Sequence, residues 1–319
     1  MIITVTLNAA IDKTLEVPSF TPGRRHRTVD QMTMPGGKGV NIARAIKQLG
    51  QPVIATGFAG GPTGTRIVEA LGDESILSDF VRIHDESRTN TVVLDPTTGM
   101  HTEINERGPA VSPQELQLFR EKLLYLAKGA SICVFAGSLP RGVDQDVYSS
   151  LIREVRRLGV TTMIDTDGEP LRLAMRGEPD LVSPNELESE ELVGHEFNDA
   201  DDRAQAVAEM TRLGAREAIM TVTDGCYAKV IEDGASTLHR VRVQEQEVRS
   251  VVGSGDAFLA GYVAARYGGQ DPVQCLRFGV ACGAESTQHF GAGIIDAVRV
   301  ERLLHEVESE RLEIGAEIG

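Results

Sequence analysis

The stretch SICVFAGSLPRGVDQDVYSSLIREVRRLGVTTMIDT, residues 131–166, decides the fold class. It opens on a continuous apolar run, SICVFAG, of the length expected for a buried strand. A helical segment over 144–158 follows, and then a second β-branched run, VTTMIDT. Strand, helix and strand in that order give parallel strands joined by a crossover helix, hence a parallel sheet covered by helices. The rhythm continues downstream through DLVSPN, a charged helix near 199–213 and the strand AIMTVTD. Residues 227–249 read as hairpin-like strands. Helices are expected from Asp256 through about Tyr267, from Asp271 through about His289, and near Val300–Glu308.

Upstream, a helix after Ser112 carries Leu116, Phe119, Leu123 and Leu126 or Ala127, and IITVTLN and PVIATGF read as further buried strands. Between those two strands, Ile42, Ala45, Ile46 and Leu49 form one helical stripe. Two segments break the pattern. Residues 10–34 lack helical periodicity and contain Pro18, Pro22 and Gly23, so extended strands and turns are expected. Residues 91–104 read as a hairpin, TVVLD and HTEIN around PTTG. The expectation is one α/β domain over 1–319 with a mainly parallel central sheet and a small β excursion.

Composition narrows the class. The 319 residues hold 32 Lys and Arg against 47 Asp and Glu, a net charge of −15, which argues against a general nucleic-acid binder. With 41% apolar and 25% charged residues, disorder and collagen-like repeats are excluded. No run approaches the ~18 apolar residues of a membrane helix, and MIITVTLNAAIDKT is no secretory leader, so a cytoplasmic protein is expected. Cys133, Cys226, Cys275 and Cys282 form no CxxC pair and read as buried thiols. The acidity is uneven: residues 20–50 hold six basic residues and one acidic, a local basic island suited to a phosphorylated ligand.

The 33 glycines cluster, and two clusters open helices. In GGKGVNIARA, Gly36–Ala45, glycines allow close approach to the backbone, and Lys38 and Asn41 add a cation and an amide. In SVVGSGDAF, Ser250–Phe258, the N–H groups of Gly253, Ser254 and Gly255 and the helix dipole make an anion hole, and Asp256 could accept a hydroxyl proton. A purely stabilising N-terminal charge is the plain alternative for Asp256, as a helix cap is for Asn185 and Glu188 in SPNELE. As a site, that pair could orient hydrated magnesium.

In this order the motifs resemble the ribokinase-like PfkB carbohydrate kinases over essentially the whole chain. The nearest likeness is to the branch of 1-phosphofructokinase and tagatose-6-phosphate kinase, whose TLNPAIDKT resembles TLNAAIDKT here. The resemblance implies a three-layer α/β fold with a small β lid formed by about 10–35 and 88–108, which often serves as a homodimer interface. It implies ATP and Mg2+, with Asp256 as catalytic base and Gly253, Ser254 and Gly255 as anion hole. Asp12, Gly36, Gly37, Asn41 and Ser138, with the backbone of Gly137, match positions that hold the sugar. Asn185 matches a nucleotide-phosphate position and Glu188 one that serves Mg2+, through water. Thr223, Asp224, Gly225 and the stretch around Gly283 correspond to the nucleotide pocket. Ser183 stands where relatives often have lysine, and Ala228 stands at a usual glycine of the nucleotide loop.

Arg27, Lys38 and Arg88 are the cations expected to hold a phosphate already on the sugar, since arginine supplies bidentate contacts and lysine a point charge. Arg24 and Arg107 read as surface charges. The implied reaction is ATP-dependent phosphorylation of a ketohexose monophosphate, fructose 1-phosphate or tagatose 6-phosphate, to the bisphosphate. Failure of the three cations to converge would favour a kinase of an unphosphorylated sugar or nucleoside; a 6-phosphofructokinase is the other enzymatic alternative, disfavoured by Lys38. A catalytically silent sugar-phosphate sensor would keep the pocket but consume no ATP.

Overall fold

The computed structural model describes residues 1–244 and 248–313. The chain begins with strand β1 (Ile2–Thr6), then β2 (Ala10–Glu16), β3 (Asp30–Gly36), helix α1 (Lys38–Gln48), β4 (Val53–Gly60), α2 (Gly61–Asp73) and β5 (Leu77–Ile83). It continues through β6 (Arg88–Asp95), β7 (Met100–Asn105), α3 (Pro113–Ala127), β8 (Ile132–Ala136), α4 (Val147–Arg156), β9 (Thr161–Asp165) and α5 (Gly168–Ala174). There follow β10 (Leu181–Val182), α6 (Glu186–Val193), α7 (Ala200–Arg212), β11 (Glu217–Val222), β12 (Gly225–Glu232) and β13 (Ala235–Arg242). The last elements are α8 (Ser254–Tyr267), α9 (Pro272–Ser286), α10 (Ala297–Leu304) and β14 (Glu308–Leu312).

Ten strands form the central sheet in the order β14-β13-β12-β11-β10-β9-β8-β1-β4-β5. It is parallel from β11 to β5 and antiparallel from β11 to β14. The two-residue period of a strand divides the core between its faces. In β8, Ile132, Val134 and Ala136 face a core shared with α1, α8 and α9, while Cys133 and Phe135 face one shared with α3, α4 and α7. These are the three layers that the strand–helix–strand rhythm predicts.

A second, four-stranded sheet has the order β3-β2-β6-β7. Strand β2 pairs antiparallel with β3 and parallel with β6, which pairs antiparallel with β7. The hairpin read from residues 91–104 is present, and 10–34 contributes the other two strands. All six residues of β7 are exposed. Within the main layers, α8 and α9 meet through small residues. A Cβ added at Gly261 would lie 2.6 Å from Cys282 Sγ, and one at Gly279 would lie 3.0 Å from the Phe258 carbonyl.

Two expectations need correction. The final helix stops at Leu304, and Glu308 begins an exposed edge strand whose sequence, ESERL, shows no apolar alternation. Helix α8 begins at Ser254 rather than Asp256, because Gly253, at φ 82°, is the residue that turns the chain into it. The sequence reading also left α2 and β5 unassigned, where glycines dilute the pattern of GPTGTRIVEALGD. Of the stretch 227–249, residues 245–247 lie outside the described residues. Among the described residues, no helix is long and apolar enough to cross a membrane.

Candidate active site

The carboxyl ends of parallel strands and the amino ends of the helices that follow them converge, as open α/β sheets favour for ligand sites. Gly37, at φ 95°, starts α1, so Lys38 and Asn41 lie on its first turn; Gly253 does the same for Asp256 on α8. Helices α1 and α8 bring two distant motifs together: Asn41 Nδ2 donates to Asp256 Oδ2 at 2.8 Å.

A cavity of about 530 Å3 is lined by Asp12, Gly37, Lys38, Asn41, Arg88, Asn90, Gly137, Ser138, Asp165, Asn185, Glu188 and the Gly253–Asp256 turn. A second, of about 600 Å3, is lined by Thr223, Asp224, Gly225, Phe258, Val280 and Gly283. The two share Asn185, Thr221, Val251, Ser254 and Gly255, so they meet at the start of α8. Nearly every residue singled out in the sequence therefore lies in one of two adjoining compartments, with the glycine turn between them. Gly36 sits behind the first: a Cβ there would come 1.9 Å from Asp12 Oδ2.

The first compartment is rich in charge. Asp256 is buried, and burial, with a further push from Asp165, raises its carboxyl to about 7 against the opposing pull of Lys38 and the Asn41 hydrogen bond. Burial also raises Asp12, opposed by a 2.9 Å hydrogen bond from Asn90 and by Arg88. Burial alone would lower the Lys38 ammonium, but Asp165, Glu188 and Asp256 together hold it above its ordinary value. Burial lowers the Arg88 guanidinium while Asp12 and Glu106 oppose that shift. Two buried acceptors lining this compartment, Asn41 Oδ1 and Asn90 Oδ1, have no hydrogen-bond partner within the protein. Such atoms carry a desolvation cost unless a ligand donates to them.

The three expected cations do not converge. Arg27 is exposed between β2 and β3 and lines neither compartment. The Lys38 ammonium lies 2.6 Å from Asp165 Oδ1 and 3.4 Å from Glu188 Oε1. Arg88 is held by the Asn8 and Glu106 carbonyls, each at 3.1 Å. It also lines an adjacent recess of about 340 Å3 with Arg107 and Arg141. The sequence reading set Arg107 aside and did not weigh Arg141.

Asn185 and Glu188 form a full capping box on α6: Asn185 Oδ1 accepts from the Glu188 N–H, and Glu188 Oε2 accepts from the Asn185 N–H, each at 2.9 Å. The capping reading is thus correct, and both residues line the first compartment as well. Ser183 lines it too. Ala228 lies buried within β12 opposite Ile219, away from the loop at Thr223–Gly225, so its side chain does not bear on that loop. Asp224 is paired with Arg240. Asp165 and Asn90 were missed. Asp165 is the last residue of a parallel strand, and that position was the available signal.

Residues 5–297 match the pfkB family carbohydrate kinases. A 1-phosphofructokinase of Borreliella burgdorferi is 31% identical over 283 residues, 89% of this chain and 90% of that protein. Among solved structures, a possible 1-phosphofructokinase of Thermotoga maritima superposes with TM-score 0.89 at 26% identity, covering 98% of this chain and 100% of that one. Phosphofructokinase-2 of Escherichia coli, in complex with substrates and products, gives TM-score 0.88 at 29% identity over 95% and 98% of the two chains.

Proposed function

The chain belongs to the pfkB family of carbohydrate kinases, and on that premise we propose that it transfers the terminal phosphoryl group of ATP to the free primary hydroxyl of fructose 1-phosphate. That it is a phosphotransferase follows from the family; the acceptor is our reading. The observation that carries it is the acceptor compartment, where the orphaned Asn41 and Asn90 oxygens, Asp12 and the Asp256 base surround one space with Arg88 at its edge. Sugar hydroxyls would satisfy the two amide oxygens, and Asp256 would take the proton of the attacking hydroxyl.

The hydroxyl oxygen forms the new bond to phosphorus, the bond to the ADP oxygen breaks, and the Gly253–Gly255 turn receives the charge on the transferring group. A carboxylate near 7 suits a base working at neutral pH. The second compartment, with Thr223, Asp224, Gly225 and Gly283, would take the nucleotide.

Mg2+ fits the donor set in one form. Among the described residues no three His, Cys, Asp or Glu side chains make a ready metal cage, whereas Glu188 lines the compartment beside Asn185. A cation that keeps its waters and enters with the ATP phosphates suits such a site, with Glu188 orienting it through water and the ion neutralising phosphate oxygens.

For the phosphate already on the sugar, Arg88 replaces the expected trio, with Arg107 and Arg141 lining the recess beside it. By the convergence criterion alone, an unphosphorylated acceptor would gain ground; the 31% identity to a 1-phosphofructokinase over most of both chains weighs the other way. The four-stranded sheet is read as the lid over this compartment and as the face through which two copies pair in the cytoplasm. Assay of fructose 1-phosphate, tagatose 6-phosphate, fructose 6-phosphate and free fructose with Mg-ATP tests the acceptor. The highest kcat/KM on fructose 1-phosphate supports the reading, and free fructose used as well as the phosphates overturns it.

A further inference from the structure

The most tightly bound ion pair in the acceptor compartment belongs to a residue the mechanism above does not use. Asp165 closes strand β9, and its side chain is 5% exposed. Its main chain is fixed on the β8 side: Gly137 N–H donates to its carbonyl at 2.9 Å, and it stands opposite Ala136 of β8 in the parallel register. Its Oδ1 accepts from Lys38 Nζ at 2.6 Å, across 127 positions of chain. Lysine is a point charge on a flexible four-carbon stem. Here the stem leaves the first residue of α1, and the head is caught on a carboxylate anchored to the central sheet.

The direction of that grip matters. Lys38 is drawn towards Asp165 and Glu188, and the charge of Asp256 also acts on it. It touches Glu188, on the side that would hold Mg-ATP, and the charge of the base that would activate the acceptor reaches it. Arg88, by contrast, lies by Asp12 and Glu106. We infer that Asp165 is a positioning residue for phosphoryl transfer: it holds the Lys38 ammonium on the path of the migrating group, rather than at the phosphate the sugar already carries. Phosphoryl transfer depends on fixed charge and alignment, and a displacement of about 1 Å can cost about 100-fold in rate. A lysine tethered by a strand-end carboxylate is fixed in that sense.

The inference rests on the kinase reading, and the test separates the two. Wild-type turnover of a ketohexose phosphate with Mg-ATP decides the reading; the variants then decide the role of Asp165. Asp165→Asn, Lys38→Met and the double variant are assayed at saturating and limiting concentrations of each substrate. The expected result is a loss of about 100-fold in kcat for Asp165→Asn with both KM values within about threefold of wild type. Groups that act as a unit are strongly non-additive, so the double variant should be no slower than Lys38→Met within about threefold.

An additive double variant, a kcat for Asp165→Asn within about threefold of wild type, or a loss recovered by excess Mg2+ overturns the inference, since none of these leaves Asp165 acting through Lys38. Should Asp165→Asn not fold, Asp165→Glu keeps the charge and moves it by one methylene. It should lose about tenfold in kcat, an effect that vanishes in the Lys38→Met background; persistence of the loss there overturns the inference equally.

Discussion

Asn41 and Asp256 stand 215 positions apart, yet the amide of Asn41 donates to the carboxylate of Asp256 at 2.8 Å. The bond is buried and joins the first turn of α1 to the first turn of α8. It orients Asp256, the proposed base, while leaving Asn41 Oδ1 without a partner in the protein, free for a hydroxyl of the proposed acceptor. The two glycine-rich motifs thus work as one device, and its electrostatics can be titrated.

The carboxyl of Asp256 is raised to about 7, chiefly by burial. The base must be ionised to accept a proton, so kcat/KM for the acceptor should rise with pH along a single-proton limb centred near 7. Lys38 pulls this group down, so Lys38→Met should move the limb to higher pH. Rate–pH profiles of the two proteins check both statements.

Asp256→Asn should lower kcat by about 100- to 10,000-fold with acceptor binding largely kept. The stability effect runs the other way. Between the ordinary value of 3.8 and about 7 the folded state keeps a proton that the unfolded chain has lost, so this group makes stability fall as pH rises through that window. The Asn variant lacks that term. Its melting temperature should exceed that of wild type at pH 8, with the gap closing towards pH 4, by calorimetry at both values.

Backbone position is the lever at Gly36 and Gly253. Gly36→Ala would drive a methyl into Asp12 and should raise KM for the sugar while sparing KM for ATP. Gly253→Ala must hold φ 82° and would bring its methyl 2.5 Å from Ala292 Cβ. Left-handed strain alone costs about 1–3 kcal/mol, and the anion hole moves with it. A lower denaturation midpoint together with lower kcat is expected for that variant.

Arg88→Met removes the guanidinium and leaves the Asn8 and Glu106 carbonyls without it. Loss of a charged hydrogen bond of about 1.5–3 kcal/mol should raise KM for a sugar phosphate about 10- to 100-fold. KM for ATP should stay nearly constant, and initial-rate kinetics in both substrates read the difference.

Glu188→Gln is a clean probe of the magnesium role, because glutamine also completes a capping box and should keep α6 intact. Circular dichroism should be unchanged. The Mg2+ concentration for half-maximal rate should rise several-fold, and an unchanged Mg2+ dependence would assign Glu188 to capping and Lys38 contact alone.

Much of this molecule was legible in the sequence because periodicity and glycine placement are local signals. The parallel core, the 91–104 hairpin, the two helix-opening loops and Asp256 could be read from residues near one another. What escaped depends on distance. Nothing near Lys38 signals that Asp165 will hold it. Arg27 and Lys38 share one basic island in the sequence, yet Lys38 lines the first compartment while Arg27 remains outside. Helix α2 was hidden by its glycines, and β14 by its charges.

The glycine contacts between α8 and α9 bear on how the sequence tolerates change. Gly261 and Gly279 line neither compartment, yet a single methyl at Gly279 would press on Phe258, two residues from Asp256 on the same helix. A helix that meets its neighbour at this distance has no slack to absorb the push. Inactivating substitutions should therefore accumulate at seam positions such as Gly261 and Gly279 that line no compartment, and a random-mutagenesis map of activity would trace the packing of Asp256 as clearly as Asp256 itself.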